Sequence, residues 1–367
     1  MITKRQYNIL SFYLTRSLFL GTGLSLLVGL SKNDLLITGI TGMLLGYILL
    51  YLFFKKGRIN NLVSVIIAVS VLFINTLSNT VLTSTYLLYS TPIFWIVLIF
   101  FITLLYVSKF KFSIIGRISE VFIVVAVIEI ILAILGLIPY VEIDNMLPMF
   151  NTKYIDIIKG IIVFTGASML PNLLLINYKD NLKFRDVQYG YIVGSILMIV
   201  VLFLVVTIYG SEFASITRFP EFMILKKIDI MGYFNNVENI LVTEWMINIL
   251  ISALVCIKVI KDRCSKIVFY AILIILFFVS NIFFSNSYAS ILYVKQYFYY
   301  ISFGLVIISL IIKKSKNLWF SYFYFELRST TTGSLNVFSL FVWPTTLYTV
   351  LIKLSSLLSY LWTKLIT

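Results

Sequence analysis

The sequence predicts an all-α integral membrane protein with a ten-helix core. Three observations carry that prediction. Of 367 residues, 60% are hydrophobic and only 12% charged, about half the charge density of ordinary soluble domains. Apolar runs of bilayer-crossing length follow one another with little chain between them, which leaves no room for a soluble core. Basic residues then fall in every second connection.

The runs lie at 7–30, 34–54, 61–89, 93–107, 118–138, 155–176, 187–209, 237–257, 267–284 and 297–312. Lys4 and Arg5 precede the first of them, as in a signal peptide. The run is too long for a signal core and lacks a small-residue cleavage site, so it is kept as the first span. With the N-terminus inside, the inner segments hold Lys4 and Arg5; Lys55, Lys56 and Arg58; Lys109, Lys111 and Arg117; Lys179, Lys183 and Arg185; four basic residues between Lys258 and Lys266; and Lys313, Lys314 and Lys316. The outer loops hold only Lys32, Lys153, Arg218, Lys226, Lys227 and Lys295. Cytoplasmic loops retain Lys and Arg, so the alternation supports ten spans with both ends of the core inside. Single cysteines near Lys56, Lys111 or Lys314 are therefore expected to resist an impermeant thiol reagent in intact cells, and one near Asp144 or Arg218 to react. The background must lack Cys256 and Cys264, and labelling near Lys111 from outside would refute the ten-span topology.

The net charge of +14 does not indicate nucleic acid, because the basic residues are scattered in short groups without a basic, aromatic-interleaved groove. The chain has no histidine, no GxSxG elbow and no GxxxxGK loop. An enzyme active site therefore has no support, and no cofactor or metal is expected. Cys256 and Cys264, eight apart, match neither a CxxC pair nor a disulfide framework.

Ten spans divide into two fives, about 7–138 and 155–312. An odd number of crossings turns the second five upside down relative to the first, giving an inverted repeat. In such transporters the first helix of each half is interrupted near the midplane and the interruptions form the substrate site. The first span carries FLGTGLS (19–25), with Gly21, Thr22 and Gly23; the sixth carries FTGASMLPN (164–172), with Phe164, Thr165, Gly166, Ser168 and then Pro171. Either feature alone reads more readily as close helix packing or a proline kink. Their matched positions favour two discontinuous helices, with freed N–H groups near Gly21–Gly23 for a carboxylate and carbonyls near Phe164–Gly166 for an amine.

The polar stretch at 218–245 fits an outer connection. Pro220 suits a helix start, and Phe222, Leu225, Ile228 and Met231 repeat at helical spacing, which predicts an interfacial helix ended by Gly232. Asn235 with Glu238 then reads as a capping box for the eighth span.

These residues also carry a resemblance. FPEFMILKKIDIMGYFNNVENILVTEW (219–245), the KRQ start at Lys4–Gln6, GTG in the first span and GRISE at Gly116–Glu120 resemble the bacterial spore germination permease family, the B subunit of germinant receptors. The likeness covers about residues 4–316. It implies an amino acid, polyamine and organocation transporter fold, a small amino acid or similar solute as ligand, A and C receptor subunits as partners, and a bacterial cytoplasmic membrane, the inner membrane of a spore. Where the family often has Gly-x-Glu in the sixth span, this chain has Gly166, Ala167 and Ser168. The function expected is solute sensing by a receptor subunit; the alternative is a proton- or ion-coupled amino acid transporter.

Charges inside spans are costly and often functional. Glu129 in the fifth span reads equally as a proton- or ion-coupling group and as a structural partner of Arg16 or Lys159. Glu244, two turns into the eighth span, is the second candidate, and Arg16 is near enough to the inner end to snorkel. Asp34, Glu120 and Glu238 sit at helix starts, where capping explains them. Residues 317–367 read as a C-terminal extension, either an eleventh helix or an interfacial segment, with Pro344 and Lys353 weakening a span.

Overall fold

The computed structural model describes residues 2–20, 22–179, 182–228, 237–285 and 288–312. The C-terminal extension, Gly21, and the Gly232 stop and Asn235 cap lie outside these residues. Among them the chain is an all-α membrane protein: every regular element is a helix, and six helical stretches are long and apolar enough to cross a membrane, with three shorter apolar helices besides.

The first span is two helices, α1 (Lys4–Arg16) and α2 (Thr22–Ser31). Thr3 caps α1 by accepting from the Gln6 backbone N–H, while the Gln6 side chain returns to the Thr3 N–H, so two orphan donors of the first turn are satisfied together. Next come α3 (Leu35–Lys56), stopped by Gly57 at φ 94°, and α4 (Asn61–Leu82), capped by the Asn60 side chain. They are followed by α5 (Ile93–Val107), α6 (Phe112–Leu137), α7 (Tyr154–Ile176) and α8 (Phe184–Tyr209). Two short helices, α9 (Ser211–Ile216) and α10 (Pro220–Leu225), lead to α11 (Val237–Arg263), α12 (Lys266–Ser285) and α13 (Tyr288–Ile311).

The interior is built by α1, α3, α7 and α8, which pack on one another, and by α4 against α11; α13 covers α7, and α6 covers α1 and α11. Small residues permit these approaches. A Cβ at Gly190 would lie 2.0 Å from the Asn8 carbonyl oxygen of α1, and one at Gly42 would lie 2.9 Å from the Phe164 ring. Large apolar side chains on the outer faces of α6 and α12, such as Ile128, Leu132, Ile275 and Phe278, stay exposed, as lipid-facing side chains do.

Two expectations are corrected. The sixth span is not broken: α7 runs without interruption through Gly166 and Pro171. Pro171 removes one helix donor, but Asn172 Nδ2 donates to the Ser168 carbonyl at 2.7 Å and Ser168 Oγ to the Thr165 carbonyl at 3.2 Å. Packing on both α3 and α13 holds this stretch in place. The segment after Pro220 is also shorter and deeper than an interfacial helix. α10 ends at Leu225, and Glu221, Phe222 and Ile224 are buried, because the helix packs against α8 and α11 rather than lying on the lipid surface. Lys226 does remain exposed, its ammonium over the Phe222 ring at 5.0 Å.

Candidate functional site

The break in the first span occupies Ser17 to Leu20, immediately after Arg16 closes α1. Helical bonding resumes when the Leu24 N–H donates to the Phe19 carbonyl at 2.9 Å. Leu18 and Phe19 are fully buried, so backbone groups released by the break need partners inside the protein. Tyr299 of α13 supplies one, its hydroxyl donating to the Leu18 carbonyl at 2.5 Å. Side chains supply another group: Asn75 Nδ2 of α4 donates to Ser252 Oγ of α11 at 2.8 Å, and Ser252 donates to Ser17 Oγ at 3.0 Å. Asn248 is one helical turn before Ser252 and so shares its face. Both amide atoms of Asn248 and the Oδ1 of Asn75 are buried without a hydrogen-bond partner among the described residues.

The predicted residues divide. Gly23 is at the break, where a Cβ would lie 2.6 Å from Tyr299 Oη and 2.7 Å from the Leu18 carbonyl oxygen. Thr22 opens α2. Phe164 reaches the break from α7, its ring 4.9 Å from that of Phe19. Thr165, Gly166 and Ser168 face other neighbours. Thr165 donates to the Gly42 carbonyl at 3.1 Å, a Cβ at Gly166 would meet Ser302 Oγ at 2.3 Å, and Ser168 bonds the Tyr191 hydroxyl at 3.1 Å. Asn75, Asn248, Ser252 and Tyr299 were not singled out by the sequence reading. The usable signal was asparagine inside otherwise apolar helices, a group too costly to bury there without a role.

The buried charges pair differently from expectation. Arg16 does not snorkel; it is 3% exposed, and its Nη2 meets Glu244 Oε2 at 2.6 Å. Lys159 pairs locally with Asp156. Glu129 accepts from the neutral Thr243 Oγ1 at 2.6 Å. Arg16, Glu129, Glu221 and Glu244 line one cavity of about 60 Å³ beside the break.

The N-terminal end of α1 is strapped down. Lys4 pairs with Asp186 of α8 at 2.8 Å, while Gln6 Nε2 donates to Glu120 of α6 at 3.1 Å and Arg5 approaches the same carboxylate at 3.6 Å. Asp34 does not cap its own helix; its carboxylate accepts from the backbone N–H groups of Phe150 and Thr152 and so ties the C-terminal end of α2 to the loop before α7. That loop and α9 enclose an open cavity of about 930 Å³ lined by Lys32, Asp144, Asn151, Tyr209 and Glu212.

A family model described as a spore germination protein matches residues 12–291, from within α1 to the start of α13. The chain belongs to the spore germination permease family. No curated protein matches it. The matched stretch contains the break in the first span, the α10 segment and all four residues of the charged cavity. This spore germination permease is a multi-pass membrane protein with a permease-like architecture, and its family is one of transporters and receptors rather than enzymes. Two of the short motifs noted in the sequence, KRQ and GRISE, are the two sides of the strap between α1 and α6: a Cβ on Gly116 would lie 3.1 Å from the Gln6 side chain.

Proposed function

We propose that this permease binds a small amino acid or similar solute at the break in its first span, as the solute-sensing subunit of a spore germination receptor that includes A and C subunits. The observation that carries the reading is the buried break itself, together with the Asn75 Oδ1 and both amide atoms of Asn248, which are buried without a hydrogen-bond partner among the described residues. The N-terminus of α2 presents backbone N–H groups and partial positive charge suited to a carboxylate. The Asn75 and Asn248 carbonyl oxygens are acceptors suited to an ammonium group.

Residues 1–316 form the transporter-like membrane domain in this reading, ten spans in two inverted fives with the N-terminus cytoplasmic. The helix pairings support it. Exchanging the two fives turns the first–seventh contact (α1 with α8) into the sixth–second contact (α7 with α3), and leaves the third–eighth contact (α4 with α11) unchanged; all three occur.

The test is binding of radiolabelled L-alanine, competed by the other common amino acids, to the protein in nanodiscs, set beside uptake into proteoliposomes. Saturable binding without accumulation supports the sensor. Accumulation would replace it with a transporter, and no binding of any amino acid would remove the solute class. Asn248→Leu separates ligand recognition from folding. Replacing an unpartnered buried amide with an apolar side chain is neutral or stabilising, so thermal stability is expected to hold or rise while affinity falls by about tenfold, the equivalent of about 1.4 kcal/mol.

A further inference from the structure

We infer that Glu129 is a proton-binding site, coupled through Arg16 to the break in the first span. The assignment of the proton is independent of which solute binds; its link to solute binding rests on the site proposed above.

The cavity of about 60 Å³ beside the break is walled by α1, α6, α8, α10 and α11. Among the described residues, the charged and titratable groups that face Glu129 are these. From α1 come Arg16 and the Tyr13 hydroxyl, close enough to interact with both Glu129 and Glu244. From α11 come Thr243 and Glu244, and from α10 comes Glu221; α8 contributes only Leu197, Val201 and Leu204. Glu129, Glu221 and Glu244 are 8%, 1% and 2% exposed. Among the described residues that line the cavity, Arg16 is the guanidinium, and it is committed to Glu244 at 2.6 Å, while Glu221 has an interaction of its own. Glu129 has a neutral hydroxyl on Oε1 and no partner on Oε2. A buried carboxylate so placed is neutralised rather than left bare. The proton sits on Glu129.

The same cavity holds the route by which the proton is sensed. Arg16 Nε and Nη1, Glu129 Oε2 and Glu244 Oε1 are all buried without a hydrogen-bond partner among the described residues. The volume suits about two waters at ~30 Å³ each, and these groups supply the several polar contacts a buried water requires. Proton release transfers H⁺ from the Glu129 carboxyl to cavity water, leaving a carboxylate and a hydronium ion that passes the proton on; no oxidation or reduction is involved. The new carboxylate competes with Glu244 for Arg16, whose Nε and Nη1, unpartnered among the described residues, can donate to it. Arg16 is the last residue of α1, and the break begins at Ser17. A shift of the guanidinium is therefore applied to the segment proposed to hold the solute.

Infrared spectroscopy of the full chain in nanodiscs, without solute, tests the proton site alone. The protonated-carboxyl C=O band is expected at neutral pH in the parent, lost in Glu129→Gln and retained in Glu221→Gln. Absence of the band in the parent, or its survival in Glu129→Gln, overturns the assignment. If Glu129→Gln fails to fold, Thr243→Val provides the reading. Loss of its hydroxyl is expected to shift the band, and an unmoved band overturns the assignment equally. Coupling is read separately, with a pH-sensitive dye, on adding L-alanine to the parent and to Glu129→Gln. Proton exchange stoichiometric with bound alanine in the parent and absent in the variant supports coupling; equal exchange in both, or none in a parent that binds alanine, overturns it without touching the infrared result.

Discussion

Glu244→Ala is expected to lower stability by about 3 kcal/mol, and the Glu129→Gln/Glu244→Ala double variant by about 5 kcal/mol, within the range for removing one partner of a buried ion pair. Arg16 and Glu244 meet at 2.6 Å with almost no solvent access. Removing the carboxylate leaves a guanidinium whose other polar neighbours are the cavity acids. In the single variant Glu129 can surrender its proton and take over part of the pairing. In the double variant that rescue is lost, so the two substitutions do not add. Glu129→Gln alone is expected to cost less than about 1 kcal/mol, because it exchanges one neutral hydrogen-bonding group for another of the same shape. Urea unfolding in detergent, followed by tryptophan fluorescence, measures all three. Equal losses for Glu244→Ala and the double variant would show that Glu129 does not substitute for Glu244. By contrast, Arg16→Met/Glu244→Leu is expected to be near neutral in stability, since apolar replacement of both partners removes the desolvation cost with the attraction.

Gly23→Val is expected to abolish solute binding and to cost about 2–4 kcal/mol, the sum of overpacking and a broken buried hydrogen bond. The added Cβ would lie 2.6 Å from Tyr299 Oη and 2.7 Å from the Leu18 carbonyl oxygen, the two atoms that join across the break. One of those atoms is backbone, so the collision cannot be relieved by a rotamer change alone. Tyr299→Phe keeps the ring and loses only the hydroxyl, and about 1 kcal/mol is expected there with binding retained. Gly166→Val is expected to fail differently. Its Cβ would run into Ser302 Oγ at 2.3 Å and the Phe303 backbone nitrogen at 2.8 Å, forcing α13 off α7. A Gly166→Val protein that stays as stable as the parent and loses only binding would return that glycine to the solute site.

The all-α membrane class was legible because bilayer thickness fixes how long an apolar run must be, a constraint that acts on local sequence; six of the helices are long and apolar enough to cross. The first break was legible through Gly21 and Gly23, although it starts earlier, at Ser17, directly after Arg16. That register depends on Tyr299 and Ser252, which come from α13 and α11 and have no local signature. The sixth span misled for the same reason in reverse. Gly166 and Pro171 are helix-weakening in isolation, but the helix is held by the Asn172 side chain and by neighbours on both flanks. Glu129, Glu244 and Arg16 stood out as buried charge, yet their pairing could not be read from spacing, since Arg16 and Glu244 are 228 residues apart.

The two ends of α1 are fastened with unequal strength. At the N-terminal end, the Lys4–Asp186 and Arg5–Glu120 pairs have basic partners exposed by 65% and 72%, and such exposed pairs contribute little and weaken further in salt. At the other end, the same helix terminates in a guanidinium sealed from solvent. α1 is therefore a lever with a firm pivot at Arg16 and a light catch at Lys4–Gln6. Ionic strength should act on the catch alone, so raising salt is expected to favour swinging of the N-terminal end while the pivot stays in place.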